Sequence, residues 1–506
     1  MIKIKTTDNS KTMLNLFFEV AENNPERIAI KEGENQYSYL ELLNFIENIS
    51  FSLREKGISS GNKVAVELSH SVELIAALFA IQCVGASYIP IDRRAPKERN
   101  RLILDDANPE LIINYKDLDI HQGYATSNIY SMINNISNDK IYDQSSLLKV
   151  AYIIYTSGTT GRPKAVPITH ENLSSLFYVT YPIYNFNEDD ITLLYHSYAF
   201  DFSVWEIWSV LAYGGKLVIP DEETRTTPYK LAELVKNEKI TLLNQTPTSF
   251  SINCEYFLKF KPEEFSLRFI IFGGERLNFK SLKNWNNKFG LYSPKLVNMY
   301  GITETTVHAS WHIIEKDDLE KSESIIGHIL PEFDYVIRKQ GSNISKIGEL
   351  LLSGPQVTNG YLNDDKKNND KFIWLEHNGI IRRYYCSGDL IYNNEKGQLV
   401  YYGRCDQQVK INGYRIEIGE VESVLTSYDK VNEILVIPSN SEIVGEHLIC
   451  IFTSSITEEY VIDNLKELAK KLLPVYMRPL NYRRIDIMPK TINGKIDKEV
   501  IMNLMR

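Results

Sequence analysis

The sequence predicts an α/β protein: a large N-terminal domain of mostly parallel β-sheets covered by helices, followed by a small α+β domain. Helix and strand patterns alternate through the first hundred residues, and a strand-into-turn pattern returns at "KITLLNQTP" and "LRFIIFGGE". Such a βαβ rhythm places crossover helices on both faces of a parallel sheet. A chain of 506 residues is also too long for one ordinary domain, so we expect about two to four structural units.

The first helix–strand units carry the signals on which this prediction depends. Ser38 and Glu41 match the S-x-x-E capping box, apolar residues recur at helical spacing from Leu42 to Leu53, and Gly57 is placed to end the helix. The segment "KVAVEL" is typical of a buried strand, "SVELIAALFAIQCVG" of the next helix and "ASYIPI" of another strand. In such sheets ligands bind at the carboxyl ends of the strands.

The best domain boundary lies near "YYGRCDQQVKINGYRIEIGEVE", residues 401–422. A Gly-Arg pair ends one region there, and a short α+β pattern follows it. We therefore expect a large N-terminal domain over residues 1–403 and a small C-terminal domain over residues 404–506.

Composition and charge exclude several classes of protein. The chain has 43% hydrophobic and 24% charged residues, typical of a globular protein with a large core, and its net charge of −9 argues against nucleic-acid binding through phosphate electrostatics. The N-terminus has no signal-peptide pattern and no segment approaches the length of a membrane span, so we expect a cytoplasmic protein. The five cysteines are scattered without a CxxC pair, which indicates reduced thiols.

A loop rich in glycine and small hydroxyl residues follows an apolar strand in "YIIYTSGTTGRPKAV", residues 152–166. Its hydroxyls can donate hydrogen bonds, Gly158 and Gly161 let backbone N–H groups approach an anion closely, and Lys164 adds a positive charge. The spacing differs from the G-x-x-x-x-G-K-[ST] pattern of P-loop NTPases. The alternative interpretation is a solvent-exposed turn, because most clusters of these residues are turns.

Four further motifs lie downstream, and each alone is more often an ordinary turn or a solvated charge. In "NMYGITETT", Tyr300 offers an aromatic face for a base, Thr303 a hydroxyl for a phosphate and Glu304 a carboxylate for Mg²⁺. In "YYCSGDL", the carboxylate of Asp389 is suited to accept from two ribose hydroxyls. The segments "GRCDQQVKINGYRIE" and "PKTINGKID" contain Arg404, Asp406, Lys410 and Lys495.

All five segments, in this order and spacing, resemble the adenylate-forming enzymes, which include acyl-CoA synthetases, firefly luciferase and the adenylation domains of nonribosomal peptide synthetases. The resemblance runs from about Leu14 to Lys495, and "TSGTTGRPK" is similar to the family's loop for the β- and γ-phosphates of ATP. The chain departs from the family's usual residues without losing a group of assigned chemical role, at Arg162, Ala165, Ile302, Cys386 and Asn412.

The resemblance implies the fold of the adenylate-forming enzymes, with ATP and Mg²⁺ as cofactors. It implies that Lys495 bridges the substrate carboxylate and the nucleotide, and that Glu304, beside Thr303, holds Mg²⁺. A mobile C-terminal domain would pivot near Asp406 and bring in Lys410 for the second step. The residues expected to bind ATP or AMP are Thr156, Ser157, Gly158, Thr159, Thr160, Gly161, Lys164, Gly274, Glu275, Asn298, Tyr300, Gly301, Asp389 and Arg404.

The segment "FDFSVWEIW" narrows the resemblance to amino-acid-activating adenylation domains, in which the residue matching Asp201 pairs with the α-ammonium of the substrate. An ammonium that enters a partly apolar pocket needs an anion there. A helix-capping aspartate is the alternative. By resemblance the pocket is lined by Asp201, Phe202, Trp205, Asn244, Ile271, Gly273, Met299, Val307, His308 and Lys495, a set that looks like the pattern of threonine-activating domains.

The side-chain chemistry of this set agrees with threonine. The aromatic and aliphatic members limit the volume, while Asn244 and His308 are polar groups suited to bond one hydroxyl. A site built to bond a hydroxyl rejects its absence by ~10⁴-fold, whereas one methylene is worth only ~10–200-fold, so valine should be rejected more strongly than serine. A satisfied core histidine is the alternative for His308.

The resemblance implies two reactions: adenylation of an amino acid with release of pyrophosphate, then transfer to a phosphopantetheine thiol. No segment of the sequence would carry that arm, so we expect a stand-alone enzyme that loads a separate carrier protein, with a small MbtH-like helper as a further candidate partner. The alternatives are an acyl- or aryl-CoA synthetase, against which Asp201 argues, and a D-alanine–carrier protein ligase, whose pocket needs less space. A degenerate nucleotide-binding module would have lost one of Lys495, Glu304 and Asp389, which are all present.

Overall fold

The structure of the protein is a computed structural model that describes residues 10–115, 123–136, 143–158, 162–339, 346–406, 408–411, 413–441, 445–454 and 458–490, together with residues 456, 496, 500 and 501. The predicted α/β class is confirmed, with parallel strands and covering helices in the long N-terminal part of the chain.

The α-helices are α1 (Met13–Asn23), α2 (Tyr39–Glu55), α3 (Val72–Cys83), α4 (Lys97–Ala107), α5 (Ile129–Ile133), α6 (His170–Tyr184), α7 (Phe202–Leu211), α8 (Glu222–Thr226), α9 (Pro228–Asn237), α10 (Pro247–Phe257), α11 (Lys283–Phe289), α12 (Asp365–Lys371), α13 (Ile418–Thr426) and α14 (Glu458–Leu472). Short 3₁₀-helices cover Pro262–Glu264, Phe279–Leu282, Thr303–Thr305, Lys316–Glu320 and Val475–Met477.

The strands are β1 (Ile28–Glu32), β2 (Asn35–Ser38), β3 (Lys63–Val66), β4 (Ser87–Pro90), β5 (Leu111–Asn114), β6 (Thr126–Asn128), β7 (Val150–Thr156), β8 (Lys164–Thr169), β9 (Ile191–Leu193), β10 (Lys216–Ile219), β11 (Leu242–Gln245), β12 (Phe269–Phe272), β13 (Lys295–Tyr300), β14 (Ser310–Ile313), β15 (Ser324–Ile329), β16 (Asp334–Arg338), β17 (Gly348–Ser353), β18 (Phe372–His377), β19 (Ile380–Asn393), β20 (Leu399–Arg404), β21 (Gln408–Ile411), β22 (Tyr414–Glu417), β23 (Glu433–Ser441), β24 (Gly445–Thr453) and β25 (Asn481–Arg484).

The largest sheet joins a parallel half to an antiparallel half. Its order is β16-β17-β19-β20-β15-β14-β13-β12-β11-β9-β10-β1-β2, with β18 paired to β19. From β13 through β12, β11, β9 and β10 to β1 the neighbours are parallel, whereas β13 and β14 are antiparallel. The parallel half is the part that the βαβ rhythm predicts, and it brings the carboxyl ends of β11, β12 and β13 to one edge.

A second sheet has the order β6-β5-β3-β4-β7-β8, and β3 is parallel to both β4 and β5. The helix α3, which connects β3 to β4, is buried at every residue except Glu73. A helix that is apolar all round lies inside a protein, so its long hydrophobic run serves as core and needs no membrane. Among the described residues, no helix is long and apolar enough to cross a membrane.

The predicted start of α2 is confirmed in detail. Ser38 accepts from the backbone N–H of Glu41 at 3.1 Å, and the Glu41 carboxylate accepts from the backbone N–H of Ser38 at 2.7 Å. This reciprocal pair satisfies two N–H groups that the first turn of a helix would leave without partners. The predicted free state of the cysteines is also confirmed, since Cys83, Cys254, Cys386, Cys405 and Cys450 form no disulfide.

Internal contacts divide the chain into two compact units. The first comprises Met1–Arg93, Leu104–Tyr155 and Ala165–Asp406, and the second comprises Arg94–Ile103, Thr156–Lys164 and Gln407–Arg506. The boundary that the sequence predicts, between residues 403 and 404, is close to this division. The sequence does not associate the two short segments with the C-terminal part.

The second unit has its own sheets and core. Strands β21 and β22 form an antiparallel pair, while β24 lies between antiparallel β23 and parallel β25. Its core includes Ile416 and Val421 with Leu465 from α14 and Phe452 from β24. This α+β composition is the one that the sequence predicts for the C-terminal domain.

Candidate active site

Three predicted pocket residues lie on neighbouring parallel strands of the first unit. Asn244 of β11 is in register with Ile271 of β12, and Met299 lies near the end of the adjoining β13. Gly273 directly follows β12, where a Cβ atom would lie 3.2 Å from the Phe202 ring. The fold therefore brings these residues to the sheet edge at which ligands bind in proteins of this class.

Asp201 immediately precedes α7 and is buried, with 6% of its surface exposed. It occupies the N-cap position, yet its side chain makes no capping hydrogen bond, so the helix-capping interpretation of this residue is not supported. Burial raises the pKa of Tyr152 well above its usual range, and Tyr88 and the charge of Asp201 raise it further. The carboxylate of Asp201 thus adds negative charge to an enclosed part of the first unit.

The indole of Trp205 and the carboxamide of Asn244 are joined by a hydrogen bond. Trp205 Nε1 donates to Asn244 Oδ1 at 3.1 Å, and Asn244 Nδ2 donates to the Thr192 hydroxyl at 3.2 Å. Thr192 in turn donates to the Leu242 carbonyl at 2.9 Å, which fixes the direction of the whole chain of hydrogen bonds. Asn244 therefore already uses its amide to hold the pocket wall, a role that the sequence interpretation did not include.

His308 lies edge-to-face against two pocket rings, at centroid distances of 5.3 Å from Phe202 and 4.9 Å from Trp205. Its Nε2 is buried and has no hydrogen-bond partner among the described residues, so the satisfied-core interpretation does not hold for this atom. Burial lowers the pKa of His308 to about 3, which keeps the imidazole neutral near pH 7. A neutral, unsatisfied imidazole nitrogen is suited to a polar group of a ligand.

The loop from Gly301 to His308 is held in an unusual backbone conformation. Thr306 and Val307 have positive φ angles of 58° and 64°. A Cβ atom at Gly301 would collide with the Val307 carbonyl, so glycine is required where the loop turns back. Gln356 donates to the His308 carbonyl at 2.9 Å and its own backbone carbonyl accepts from the Thr306 hydroxyl at 2.7 Å. Such strained positions cluster at functional sites, where surrounding contacts maintain them.

A second cluster of the first unit surrounds Asp389, which is fully buried. Tyr300 donates its hydroxyl to Asp389 Oδ2 at 2.6 Å, and Arg404 Nη1 donates to Oδ1 at 2.7 Å. Arg404 also contacts the predicted hinge residue, because Nε and Nη2 donate to the two oxygens of Asp406 at 2.6 and 2.7 Å. One guanidinium thus connects the predicted ribose ligand to the predicted hinge.

Glu304 lies in the short 3₁₀-helix Thr303–Thr305 and is fully buried. Its Oε1 accepts from the hydroxyl of Tyr361 at 2.7 Å. Among the described residues there is no group of three or more His, Cys, Asp or Glu side chains that would hold a metal ion by itself. A single carboxylate still fits Mg²⁺, which usually binds through one or two carboxylates plus substrate phosphates and water.

The other predicted nucleotide residues of the first unit occupy structural positions near the same strands. Gly274 has a positive φ of 84°, and Glu275 accepts from the Thr248 backbone N–H at 2.9 Å. Asn298 donates to the Ile325 carbonyl at 2.8 Å, and Thr303 is buried.

The described part of the predicted phosphate loop belongs to the second unit and contacts β22 and α13 there. The Ser157 hydroxyl donates to the Arg415 carbonyl at 2.5 Å and accepts from the Glu417 N–H at 3.1 Å. The Gly158 N–H donates to the Glu420 carboxylate at 3.0 Å, and Lys164 Nζ lies 3.9 Å from Glu417 Oε1. The hydroxyl of Thr156 is buried without a partner among the described residues, so the solvent-exposed turn is wrong for this part of the loop.

Several predicted residues lie outside the described residues: Thr159, Thr160, Gly161 and Lys495, as does Asn412. Lys410 is described and lies on β21 of the second unit.

Sequence reasoning missed the partners that hold the site residues. These are Tyr361 on Glu304, Glu420 on the phosphate loop, and a buried pair, His196 and Glu206, beside Phe202. Glu206 lies inside the quoted "FDFSVWEIW" segment, one helical turn after Phe202, and a charged residue in an otherwise apolar helix was the available signal.

Two family models match the chain. One, described as "AMP-binding enzyme", matches residues 17–362, and the other, described as "AMP-binding enzyme C-terminal domain", matches residues 420–495. Among relatives, a dimodular nonribosomal peptide synthase of Bacillus subtilis (strain 168) is 34% identical over 94% of this chain and 21% of its own length. Syringomycin synthase SyrB1 of Pseudomonas syringae pv. syringae is 32% identical over 96% of this chain and 80% of its own length.

The chain spans only about a fifth of the length of the dimodular synthase, as it does for a plipastatin synthase of the same bacterium, at 21% and 19%. Among solved structures, holo-PA1221, described as an NRPS protein containing adenylation and PCP domains, superposes with a TM-score of 0.84 at 25% identity, covering 99% of this chain and 85% of that one. The o-succinylbenzoate CoA synthetase of Bacillus subtilis superposes with a TM-score of 0.84 at 20% identity, covering 97% and 98%, which supports the fold alone.

Proposed function

Because this chain belongs to the AMP-binding enzyme family, the adenylate-forming enzymes, and is of the nonribosomal-peptide adenylation type, we propose that it activates L-threonine as the aminoacyl-AMP with release of pyrophosphate. The observation that carries the amino-acid assignment is the buried carboxylate of Asp201 at the start of α7, next to the pocket residue Phe202. A substrate ammonium is attracted to that charge, whereas a fatty or aryl acid brings no cation to it.

Threonine is favoured over other amino acids by the chemistry of the pocket wall. Phe202 and Trp205 limit the volume, and the unsatisfied Nε2 of His308 is suited to the substrate hydroxyl. The carboxamide of Asn244 already accepts from Trp205, so we assign the hydroxyl contact to His308 and a supporting role to Asn244. Valine would leave the imidazole unsatisfied, and serine would lose only one methyl contact.

In the first step the threonine carboxylate attacks the α-phosphate of ATP and pyrophosphate leaves. Lys495 would neutralise the two reacting anions, and Tyr300, Asp389 and Arg404 would orient the adenosine, so that catalysis comes from positioning and electrostatics. Mg²⁺, held by Glu304, would neutralise charge on the phosphates. Ser157, Gly158 and Lys164 would bind the phosphate groups that leave.

In the second step we propose transfer to the phosphopantetheine thiol of a carrier protein. The support is the type of relative: PA1221, whose structure covers most of this chain, contains adenylation and PCP domains. A CoA synthetase is the rival candidate, since o-succinylbenzoate CoA synthetase has the same fold. The charge of Asp201 favours the amino-acid reaction over this rival.

The test is amino-acid-dependent exchange of labelled pyrophosphate into ATP, measured across the twenty amino acids with D-alanine and benzoate added. We expect L-threonine to give the highest kcat/KM, serine to follow, and valine to be far weaker. Lys495→Ala should nearly abolish exchange, while Asp201→Asn should lower amino-acid use by about 100-fold and leave ATP binding unchanged. If D-alanine or benzoate exceeds L-threonine, the assignment of the substrate is wrong.

A further inference from the structure

A buried histidine–carboxylate pair lies beside the amino-acid pocket and belongs to neither the predicted site nor the proposed mechanism. His196 follows β9, at the same edge of the parallel sheet as the pocket residues, and Glu206 lies on α7. The Nδ1 atom of His196 lies 2.7 Å from Glu206 Oε1, and the side chains are only 8% and 0% exposed. A fully buried carboxylate is costly unless several donors compensate it, so its presence needs an explanation.

Glu206 receives these donors from one short segment. Its Oε2 accepts from the backbone N–H groups of Tyr195 at 3.0 Å and His196 at 3.1 Å, while Oε1 is the partner of the imidazole. Both carboxylate oxygens are therefore bound to the segment that carries His196. The Nε2 of His196 has no hydrogen-bond partner among the described residues, so Glu206 is the group that orients the ring.

The oriented imidazole lies flat against a pocket residue. The rings of His196 and Phe202 are stacked, with centroids 4.5 Å apart and planes inclined by 22°. Phe202 and Glu206 are four residues apart on α7, so both face the same side of the helix. The Phe202 ring also faces His308, edge-to-face at 5.3 Å, and its edge would lie 3.2 Å from a Cβ atom at Gly273.

We propose that the His196–Glu206 pair is a positioning element that fixes the ring of Phe202 and thereby limits the size of side chain that the pocket accepts. This inference rests on the proposed function, because Phe202 acts on specificity only if it lines the amino-acid pocket. The imidazole provides a flat surface for stacking, and the carboxylate prevents it from rotating. Phe202 then cannot move away to admit a longer side chain.

The physical consequence concerns selectivity more than rate. Without the imidazole, the ring of Phe202 gains a vacated volume on one face and moves into it, because interiors are close-packed and fill such volumes where they can. The pocket then widens by about the thickness that a larger aliphatic side chain needs. Leucine, which is one methylene-sized group longer than threonine's frame, would gain relative to threonine by about 10-fold, within the range that one methylene contributes.

The experiment compares kcat/KM for L-leucine and L-threonine in pyrophosphate exchange, using the full chain. His196→Asn keeps an N–H donor near the Nδ1 position and removes the stacked ring, so the leucine-to-threonine ratio should rise about 10-fold. His196→Phe keeps a stacked ring, so its ratio should stay within about 2-fold of the wild type. Glu206→Met is a second variant that removes the anchor and leaves the imidazole, and it should raise the ratio by about 3-fold or more.

A matched control is available in the first unit. His312 and Asp318 form another buried pair, with Nε2 and Oδ2 2.7 Å apart and side chains 5% and 2% exposed. His312→Asn should lower thermal stability without changing the leucine-to-threonine ratio. If His196→Asn and Glu206→Met lower kcat/KM for both amino acids by the same factor, the pair is merely structural and the inference is wrong. Failure of the wild type to use any amino acid would instead contradict the proposed function.

Discussion

The backbone N–H of Gly158 donates to the carboxylate of Glu420 at 3.0 Å, although the two residues are 262 positions apart in the sequence. The same carboxylate pairs with Arg99 Nη1 at 2.5 Å through its other oxygen. A protein anion therefore occupies a donor that the family resemblance assigns to a phosphate of ATP. Two anions that need one donor exclude each other, so this contact has consequences for nucleotide binding.

We first predict that Glu420→Gln lowers the KM for ATP by about 5-fold, the equivalent of roughly 1 kcal/mol. A neutral amide competes with phosphate for the Gly158 N–H less strongly than a carboxylate does. The measurement is the ATP dependence of pyrophosphate exchange, with a thermal melt to check folding. Glu459→Gln, an exposed position on α14, is the matched control and should leave the KM unchanged. An unchanged or higher KM for Glu420→Gln would show that the contact does not compete with phosphate.

A second prediction concerns Gly388, whose φ is +76°. A Cβ atom there would lie 2.5 Å from Arg404 Nη2 and 2.8 Å from Asp406 Oδ2, so Gly388→Ala should displace the guanidinium. Because Arg404 holds Asp389, we expect the KM for ATP to rise by about 10-fold or more.

The control for Gly388→Ala is Gly397→Ala. Gly397 has nearly the same φ, +73°, and a Cβ atom there would meet nothing within 4 Å. Both variants carry the backbone strain of about 1–2 kcal/mol, but only Gly388→Ala should affect nucleotide binding. Equal effects of the two variants on the KM would contradict a specific role for the Arg404 contacts.

A third prediction concerns the hydroxyl of Tyr361, which donates to Glu304 at 2.7 Å. Tyr361→Phe removes one orienting partner of the expected Mg²⁺ ligand, and such changes typically cost about 10–100-fold in metal affinity. The Mg²⁺ concentration that gives half-maximal exchange should therefore rise about 10-fold. Tyr402→Phe changes an exposed tyrosine and should have no effect. A Mg²⁺ dependence that is the same in both variants would be evidence against this arrangement.

A fourth prediction concerns stability in acid. Burial, with a contribution from the charge of Lys149, lowers the pKa of His170 to about 3, and neither ring nitrogen has a partner among the described residues. Burial also lowers the pKa of His308 to about 3. In the unfolded chain both groups titrate near about 6.5. Below that pH the unfolded state binds protons that the folded state does not, so each histidine lowers the free energy of unfolding by about 1.4 kcal/mol per pH unit.

The loss should be absent above about pH 6.5 and should grow as the pH falls towards about 3. Urea unfolding at pH 7, 6 and 5 measures the slope. His170→Asn carries a side chain that does not titrate in this range, so its slope should be smaller by about one proton, whatever its stability at pH 7. An identical slope in the wild type and the variant would mean that His170 is protonated in the folded state.

Local sequence patterns were sufficient for much of the fold and for the identity of the site residues. The capping box of α2 depends on residues only three positions apart, and the all-apolar α3 depends on composition, so neither needs knowledge of distant contacts. The antiparallel half of the large sheet was not predicted, because its strands carry no pattern that distinguishes a hairpin partner from a parallel neighbour.

The sequence by itself determined the family type, the anion-binding character of the glycine-rich loop and the acidic residue expected to select an amino acid. Only the tertiary structure decided how these groups are used: that Trp205 donates to the Asn244 carbonyl, that Glu206 orients His196 against Phe202, and that Glu420 accepts from Gly158. The reason is that a motif names donors and acceptors along the chain, whereas hydrogen bonds form between groups that folding brings within about 3 Å.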